Sequence, residues 1–224
     1  MRQSSSAASL RGRSLANLRP GITALIACHP ERLVNGLANE AFSSVARQTL
    51  QPDTIILVND KERAGAGRTR QKLLRMVETE WLAWCDSDDF WTPVHLEKLY
   101  NHAQETGAVF VNSWFHAPFD PFIAPENPGG HFGKPLDPCN PHHTTITFLV
   151  KTEIAQEVGF RESLQDSNFS EEDWDHISRI AALCCERGLK MEHLPERTWW
   201  WRQQGQNTSG LFRPGHGDIP LNAK

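Results

Sequence analysis

The chain reads as an α/β domain: a mixed, mostly parallel sheet flanked by helices on both faces. Three observations predict this. Short apolar runs alternate with longer stretches of helical spacing through the first half. The runs are apolar throughout, as strands buried on both faces are. A carboxylate-rich turn follows one of them, and open α/β sheets hold ligands beyond the carboxyl ends of their strands.

The elements follow in order. Ile22 to Ala27 is the first buried strand. Leu33 to Ala46 has helical spacing through Leu33, Leu37, Phe42 and Val45. Thr54 to Val58 is a second strand, closed by Asn59-Asp60, and Gly67 to Val77 is helical. Trp81 to Cys85 is a third strand. Pro93 suits the first turn of a helix that runs through Leu96, Leu99 and Tyr100 towards Thr106. Ala108 to Val111 is a fourth strand. Residues 116–141 then hold seven prolines and little periodicity, the mark of a functional or mobile loop. Thr144 to Val150 reads as a strand, Lys151 to Val158 as a short helix and Asp173 to Arg187 as a longer one. Lys190 to Leu194 and Thr198 to Arg202 read as two short strands.

Composition narrows the class. The chain has 224 residues, 39% hydrophobic and 22% charged, with net charge -4. That is ordinary for a globular protein and is no nucleic-acid magnet. Residues 61–75 hold six Lys or Arg and one Glu, whereas residues 166–175 hold five acids and no base. Lining one cleft, they would serve phosphate on one side and metal or acceptor on the other; otherwise they are solvated faces. The five cysteines are odd in number and show no CxxC spacing, which suits a reducing, intracellular (cytoplasmic) setting. No apolar stretch approaches the ~20 residues of a membrane helix. The first twenty residues carry four Arg and no acid and read as a loose basic arm.

The chemistry concentrates in Trp84-Cys85-Asp86-Ser87-Asp88-Asp89-Phe90-Trp91. Three carboxylates within four residues repel one another, and a divalent cation with hard oxygen ligands, Mg²⁺ or Mn²⁺, removes that cost. Asp86 and Asp88 alternate, so an extended backbone would point them the same way, suiting one metal shared with a diphosphate. A helix cap explains one Asp but not three. Asp60 could accept from a base or ribose, or simply shape a turn. Gly65-Ala66-Gly67-Arg68-Thr69-Arg70 is neither a dinucleotide fingerprint nor a P-loop, but its arginines could grip phosphate. Glu171-Glu172-Asp173-Trp174-Asp175 opens a helix with more acid than capping needs, and one of these can act as a general base. Trp199-Trp200-Trp201 cannot all face one core from one strand, so one lines a groove, or the strand is covered on both sides. His142-His143 with Cys139 lacks a fourth ligand at zinc spacing.

In this order the pieces resemble a family 2 glycosyltransferase of the GT-A, Rossmann-related fold, over roughly residues 21–210. The opening strand-helix-strand is similar, with Asn59-Asp60 at the usual acidic pair. "GAGRTRQ" resembles the family's Gly-x-x-x-Ala-Arg-Asn, with Arg70 at the arginine and Gln71 at the asparagine. "WLAWCDSDDFWTPVHLEKL" matches the DxD segment and the Trp-x-Pro-x-x-Leu-Glu after it. "SEEDWDHISRIA" resembles the segment that carries the proposed base. "WWRQQGQNTSG" is similar to a late Tyr-Arg-x-His segment, with Gln204 where a histidine often stands.

The resemblance implies a single domain over residues 21–210, with a donor half about 21–112 and an acceptor half about 113–210. A basic arm (1–20) and a tail (211–224) flank it. It implies a non-processive, metal-dependent, inverting transfer of one sugar from a nucleotide diphosphate sugar, a UDP-sugar leading. Asp173 is the implied base and Glu172 its rival. Ala27, His29, Asp60, Arg70, Asp86 and Arg202 are the implied donor contacts. Asp88 and Asp86 would hold Mn²⁺ or Mg²⁺. Trp91, His143, Trp174 and Trp201 would line the sugar and acceptor groove. Two other readings are a sugar-1-phosphate nucleotidyltransferase and a non-catalytic carbohydrate- or nucleotide-binding module. Cys28-His29-Pro30-Glu31-Arg32 stands where the former needs a Gly-rich loop, and the retained acids speak against the latter.

Overall fold

The structure, a computed structural model, describes residues 18–116, 130–142, 144–161 and 172–202. In chain order the elements are β1 (Arg19–Cys28), α1 (Pro30–Val34), α2 (Leu37–Ala46), β2 (Thr54–Asn59), α3 (Ala66–Leu74), β3 (Thr79–Trp84), β4 (Phe90–Trp91), α4 (His95–Thr106), β5 (Phe110–His116), β6 (Phe148–Lys151), α5 (Thr152–Val158), α6 (Glu172–Arg187) and β7 (Met191–Trp200). One sheet takes all the strands in the order β2-β1-β3-β6-β5-β7-β4. β1 lies parallel to β2 and β3, and β5 parallel to β7. β6 runs against both β3 and β5, and β4 against β7. The sheet is thus mostly parallel in strand direction, with β6 and β4 reversed.

Side chains alternate across this sheet, and each face has its own core. Ile22, Ala24 and Ile26 of β1 and Trp81 and Ala83 of β3 meet Ala41 and Val45 of α2 and Leu96 and Leu99 of α4. Leu25, Leu82 and Trp84 point the other way, onto Leu73 of α3, Ile154 of α5 and Ile177 and Ile180 of α6. Both faces are covered, so nearly continuous apolar runs make strands here.

The chain departs from the sequence reading in four places. The helix expected over Leu33 to Ala46 is two helices, because Gly36 adopts φ 84, a left-handed conformation that a helix interior cannot hold. Pro93 lies in the turn before α4, which starts at His95. β6, read as one more strand in sequence, inserts antiparallel between β3 and β5. The two late strands are one: β7 passes through Pro195, where exposure and register shifts against β5 accommodate a residue with no N–H to donate.

Cys139 and Cys185 form a disulfide, a pairing that their spacing did not announce. Cys28, Cys85 and Cys184 are free and buried, as small core residues. Among the described residues no helix is long and apolar enough to cross a membrane.

Candidate active site

The acidic run lies at the carboxyl edge, where β1 and β3 end side by side. It does not stay extended. The Asp89 N–H donates to the Asp86 carbonyl at 3.1 Å, closing a turn over 86–89. The acids therefore do not lie along one extended strand, and their closest contacts differ: Asp86 with Arg70, Asp88 with Arg32, and Asp89 with the Arg202 backbone.

Asp86 meets Arg70. Arg70 is 6% exposed, and its Nη2 donates to Asp86 Oδ1 at 2.7 Å. Its Nη1 donates to Glu172 Oε1 at 2.5 Å, at the first residue of α6. α3 supplies the arginine because Thr69, Arg70, Leu73 and Leu74 all fall on its buried side. Burial works against the Arg70 charge, but Asp86, then Glu172 and Asp173, more than offset it and raise its pKa. Arg70 was expected to grip phosphate or base. In this structure it is a buried clamp between the acidic turn and the start of α6.

Asp88 meets Arg32 of α1 in an ion pair of two largely covered side chains. Sequence reasoning missed Arg32; the one available signal was a cation just past the end of the first strand. Asp89, which drew no role, turns inward at 5% exposure and accepts from the Arg202 backbone N–H at 2.8 Å. Burial, then Asp86, holds its carboxyl well above the usual carboxylate range. Arg202 itself pairs with Glu40 of α2 and lies over the Phe90 ring. The end of β7 is thereby stapled to the acidic turn.

The start of α6 sorts its acids. Glu172 is spent on Arg70. Asp175 accepts from Arg179 Nε at 2.9 Å and pairs with Arg161 at 3.3 Å, so it anchors the helix to the loop before it. Asp173 has no ion-pair partner among the described residues; its Oδ1 accepts only the Trp174 N–H, at 2.7 Å. Burial raises its pKa; Arg70 opposes this, and Glu172 adds to it. A carboxylate so raised is a stronger base than a surface aspartate.

The other expected residues divide. Asp60 accepts from Ala64 N–H at 2.8 Å and Gly65 N–H at 2.9 Å, so its carboxylate shapes the loop into α3. Ala27 is half-buried at the end of β1, and His29 caps α1 through Nδ1 at 3.4 Å. Gln71 accepts from the Phe160 N–H at 2.6 Å and orients the end of α5. Trp91, expected in a groove, is 3% exposed and packs on His95 at 4.5 Å. Trp174 and Trp201 are partly buried against the two cores. In the tryptophan triplet Trp199 is core, while Trp200 faces the other side between Phe90 and His116, at 5.9 and 4.4 Å between ring centres. His143, residues 117–129 of the proline-rich loop, Glu171 and Gln204 lie outside the described residues.

Residues 61–127 match the family model described as "Glycosyl transferase family 2". Solved structures show the same architecture. TarS of S. aureus in complex with UDP aligns with TM-score 0.60 at 12% identity, over 82% of this chain and 61% of that one. TarS with UDP-GlcNAc gives 0.62 at 12%, over 84% and 60%. The mannosyltransferase PcManGT of Pyrobaculum calidifontis, in complex with GDP-Man and Mn²⁺, gives 0.56 at 16%, over 80% and 55%. The fold is GT-A. This GT-A chain spans less than two thirds of the length of each of these structures. No curated protein sequence matches it.

A divalent cation fits the GT-A site in part. Among the described residues no three metal-binding side chains converge. Asp86 and Asp88 nevertheless offer hard oxygens, and Asp86 keeps Oδ2 clear of Arg70. Two carboxylates with substrate phosphate and water make a set that Mg²⁺ or Mn²⁺ accepts.

Proposed function

We propose that this chain transfers one sugar from a nucleoside diphosphate sugar to an acceptor hydroxyl, with inversion at the anomeric carbon. The observation that carries this reading is the Asp86–Arg70–Glu172 clamp. It joins the acidic turn, where a diphosphate would sit, to the helix start that holds Asp173, a carboxylate of raised pKa with no ion-pair partner among the described residues.

In this reading the acceptor O–H gives its proton to Asp173. Its oxygen forms the new bond to the anomeric carbon as the bond from that carbon to the diphosphate oxygen breaks. One displacement with one base inverts the centre. Asp86 and Asp88 would hold Mn²⁺ or Mg²⁺, which offsets charge on the departing diphosphate. Arg70 keeps Asp86 and Glu172 in place, and Glu172, paired with it, is not the base. Asp60, Ala27, His29 and Arg202 border the donor side; Trp174 and Trp201 border the acceptor side. We take a UDP-sugar as the donor, a choice to be tested against GDP-sugars. The odd cysteine count favours a reducing cytoplasm, whereas the closed Cys139–Cys185 bridge favours an oxidising setting.

The test is a panel of UDP- and GDP-sugars with Mn²⁺, Mg²⁺ or EDTA, following release of nucleoside diphosphate. Metal-dependent release from one donor supports the reading. Release of pyrophosphate from a nucleoside triphosphate and a sugar phosphate would replace it with nucleotidyl transfer. Binding of nucleotide or sugar without turnover under any condition would make the chain a binding module.

A further inference from the structure

We infer that Arg32 is a movable counter-cation for Asp88: it stands in for the divalent ion when the site is empty of donor and turns to the donor diphosphate when both arrive. This rests on the sugar-transfer reading and adds a residue and a coupling to it.

The two arginines of the acidic turn are held very differently. Arg70 is buried on α3 and makes two directional hydrogen bonds. Arg32 touches Asp88 through Nη1, yet that nitrogen makes no hydrogen bond of good geometry. The guanidinium also lies in the fields of Asp86 and Asp89. It therefore faces all three acids of the turn and is fixed to none by hydrogen-bond geometry.

Its support is equally light. α1 has five residues, and none of them is buried. Gly36 separates it from α2, and Val34 beside the break is 89% exposed. The further side-chain tie of α1, Glu31 to Arg63, is exposed on both partners. Segments with few buried contacts move at low cost. A cation on such a segment can follow whichever anion attracts it most.

Charge decides where it goes. Without ligand, Asp88 is the acid to hand. A divalent ion at Asp88 must displace the guanidinium, and on its own it offers Arg32 no new anion. A metal–diphosphate pair does offer one. Arg32 thereby penalises the bare metal and rewards the complex, so metal and nucleotide raise each other's affinity by the same factor.

The test measures binding, not turnover. Mn²⁺ alone is titrated into the protein by electron paramagnetic resonance, and UDP and GDP are titrated by calorimetry with and without Mn²⁺. Arg32→Ala should bind Mn²⁺ alone about 2–5-fold more tightly, the range expected for loss of a partly exposed ion pair. It should bind the preferred nucleotide, at saturating Mn²⁺, about 10–100-fold more weakly, as when a charged hydrogen bond to phosphate is lost. Arg32→Lys keeps the charge and should fall between. Circular dichroism should match wild type, since α1 is one short helix with no fully buried residue. Wild-type binding of nucleotide with both variants indistinguishable from it overturns the counter-cation alone. Weaker Mn²⁺ binding by Arg32→Ala does the same, for then Arg32 supports the metal rather than competing with it. No nucleotide binding by wild type overturns this inference together with the function beneath it.

Discussion

The Asp86–Arg70–Glu172 cluster, buried except for a partly exposed Asp86, and the buried His95–Thr198–Ser113 cluster both fasten a helix start to a strand or strand end. The first is ionic; the second is neutral. In the second, Thr198 Oγ1 meets His95 Nδ1 at 2.6 Å and Ser113 Oγ at 2.6 Å, and burial pushes the His95 pKa down to about 3. This network ties α4, β5 and β7 together without net charge, although it leaves His95 Nε2 buried without a hydrogen-bond partner. In the first, one arginine answers Asp86 and Glu172 while Asp173 stands beside them unpaired. That negative surplus is more than a structural joint requires. The difference separates a neutral joint from a network with spare negative charge, which the proposed sugar transfer would use.

Four further experiments can break or sharpen this contrast, beginning with the largest effect. Asp173→Asn should slow transfer by ~10²–10⁴-fold while donor affinity holds, because the amide keeps shape and loses basicity. A helix cap would survive the change, since Asn caps as well as Asp. Near-normal turnover would therefore return Asp173 to a structural role.

Arg70→Met should cost about 3–5 kcal/mol in urea unfolding, because it strands two covered carboxylates. Adding Glu172→Gln should recover part of that loss. If the double variant is no more stable than the single, the clamp is not ionic in origin.

His95→Leu keeps packing on Trp91 and leaves Thr198 its Ser113 partner, so about 1–3 kcal/mol of stability should go. Nucleotide binding should be unchanged. A drop in nucleotide affinity would mean the two networks are coupled.

The fourth experiment is a pH series of unfolding curves. The folded-state pKa of His95, about 3, lies below its unfolded value, so the unfolded chain binds the extra proton between the two. The stability it supplies is complete above about pH 6.5 and is lost as pH falls, by about 1.4 kcal/mol per unit. Asp173 runs the other way. Its pKa is raised by burial, so its contribution is complete below the usual carboxyl range and is lost as pH rises. His95→Leu should remove part of the acid limb, which the similarly buried His176 and His193 share, and Asp173→Asn, by removing an opposing contribution, should leave that limb at least as steep.

Much of this was legible in the sequence, and what was missed has physical reasons. Apolar runs located β1, β2 and β3 because burial on both faces leaves a compositional trace. β4 left none, being only Phe90 and Trp91. The direction of β6 depends on which neighbours it pairs with, and no local pattern records that. Leu33 to Ala46 kept helical spacing across Gly36, so periodicity hid a break that backbone conformation makes. At the site, Asp86, Asp88, Arg70 and Asp173 stand out by residue type and by resemblance. Their partners do not: Arg70 and Glu172 are 102 residues apart. That distance in sequence is why the clamp itself left no local trace. Arg32 carries no motif, and only its place beside Asp88 gives it meaning.

The Cys139–Cys185 bridge makes a covalent ring of the chain between them, closed across a separation of 46 residues. The ring contains β6, α5 and almost all of α6, and hence Asp173. While the bridge is closed, a single cut of the backbone anywhere in that span yields two peptides but not two molecules. The nicked protein should run as one species on a gel without reductant and as two with it. The helix that carries Asp173 would stay joined through sulfur to the segment bearing Cys139 after its own upstream connection had been severed.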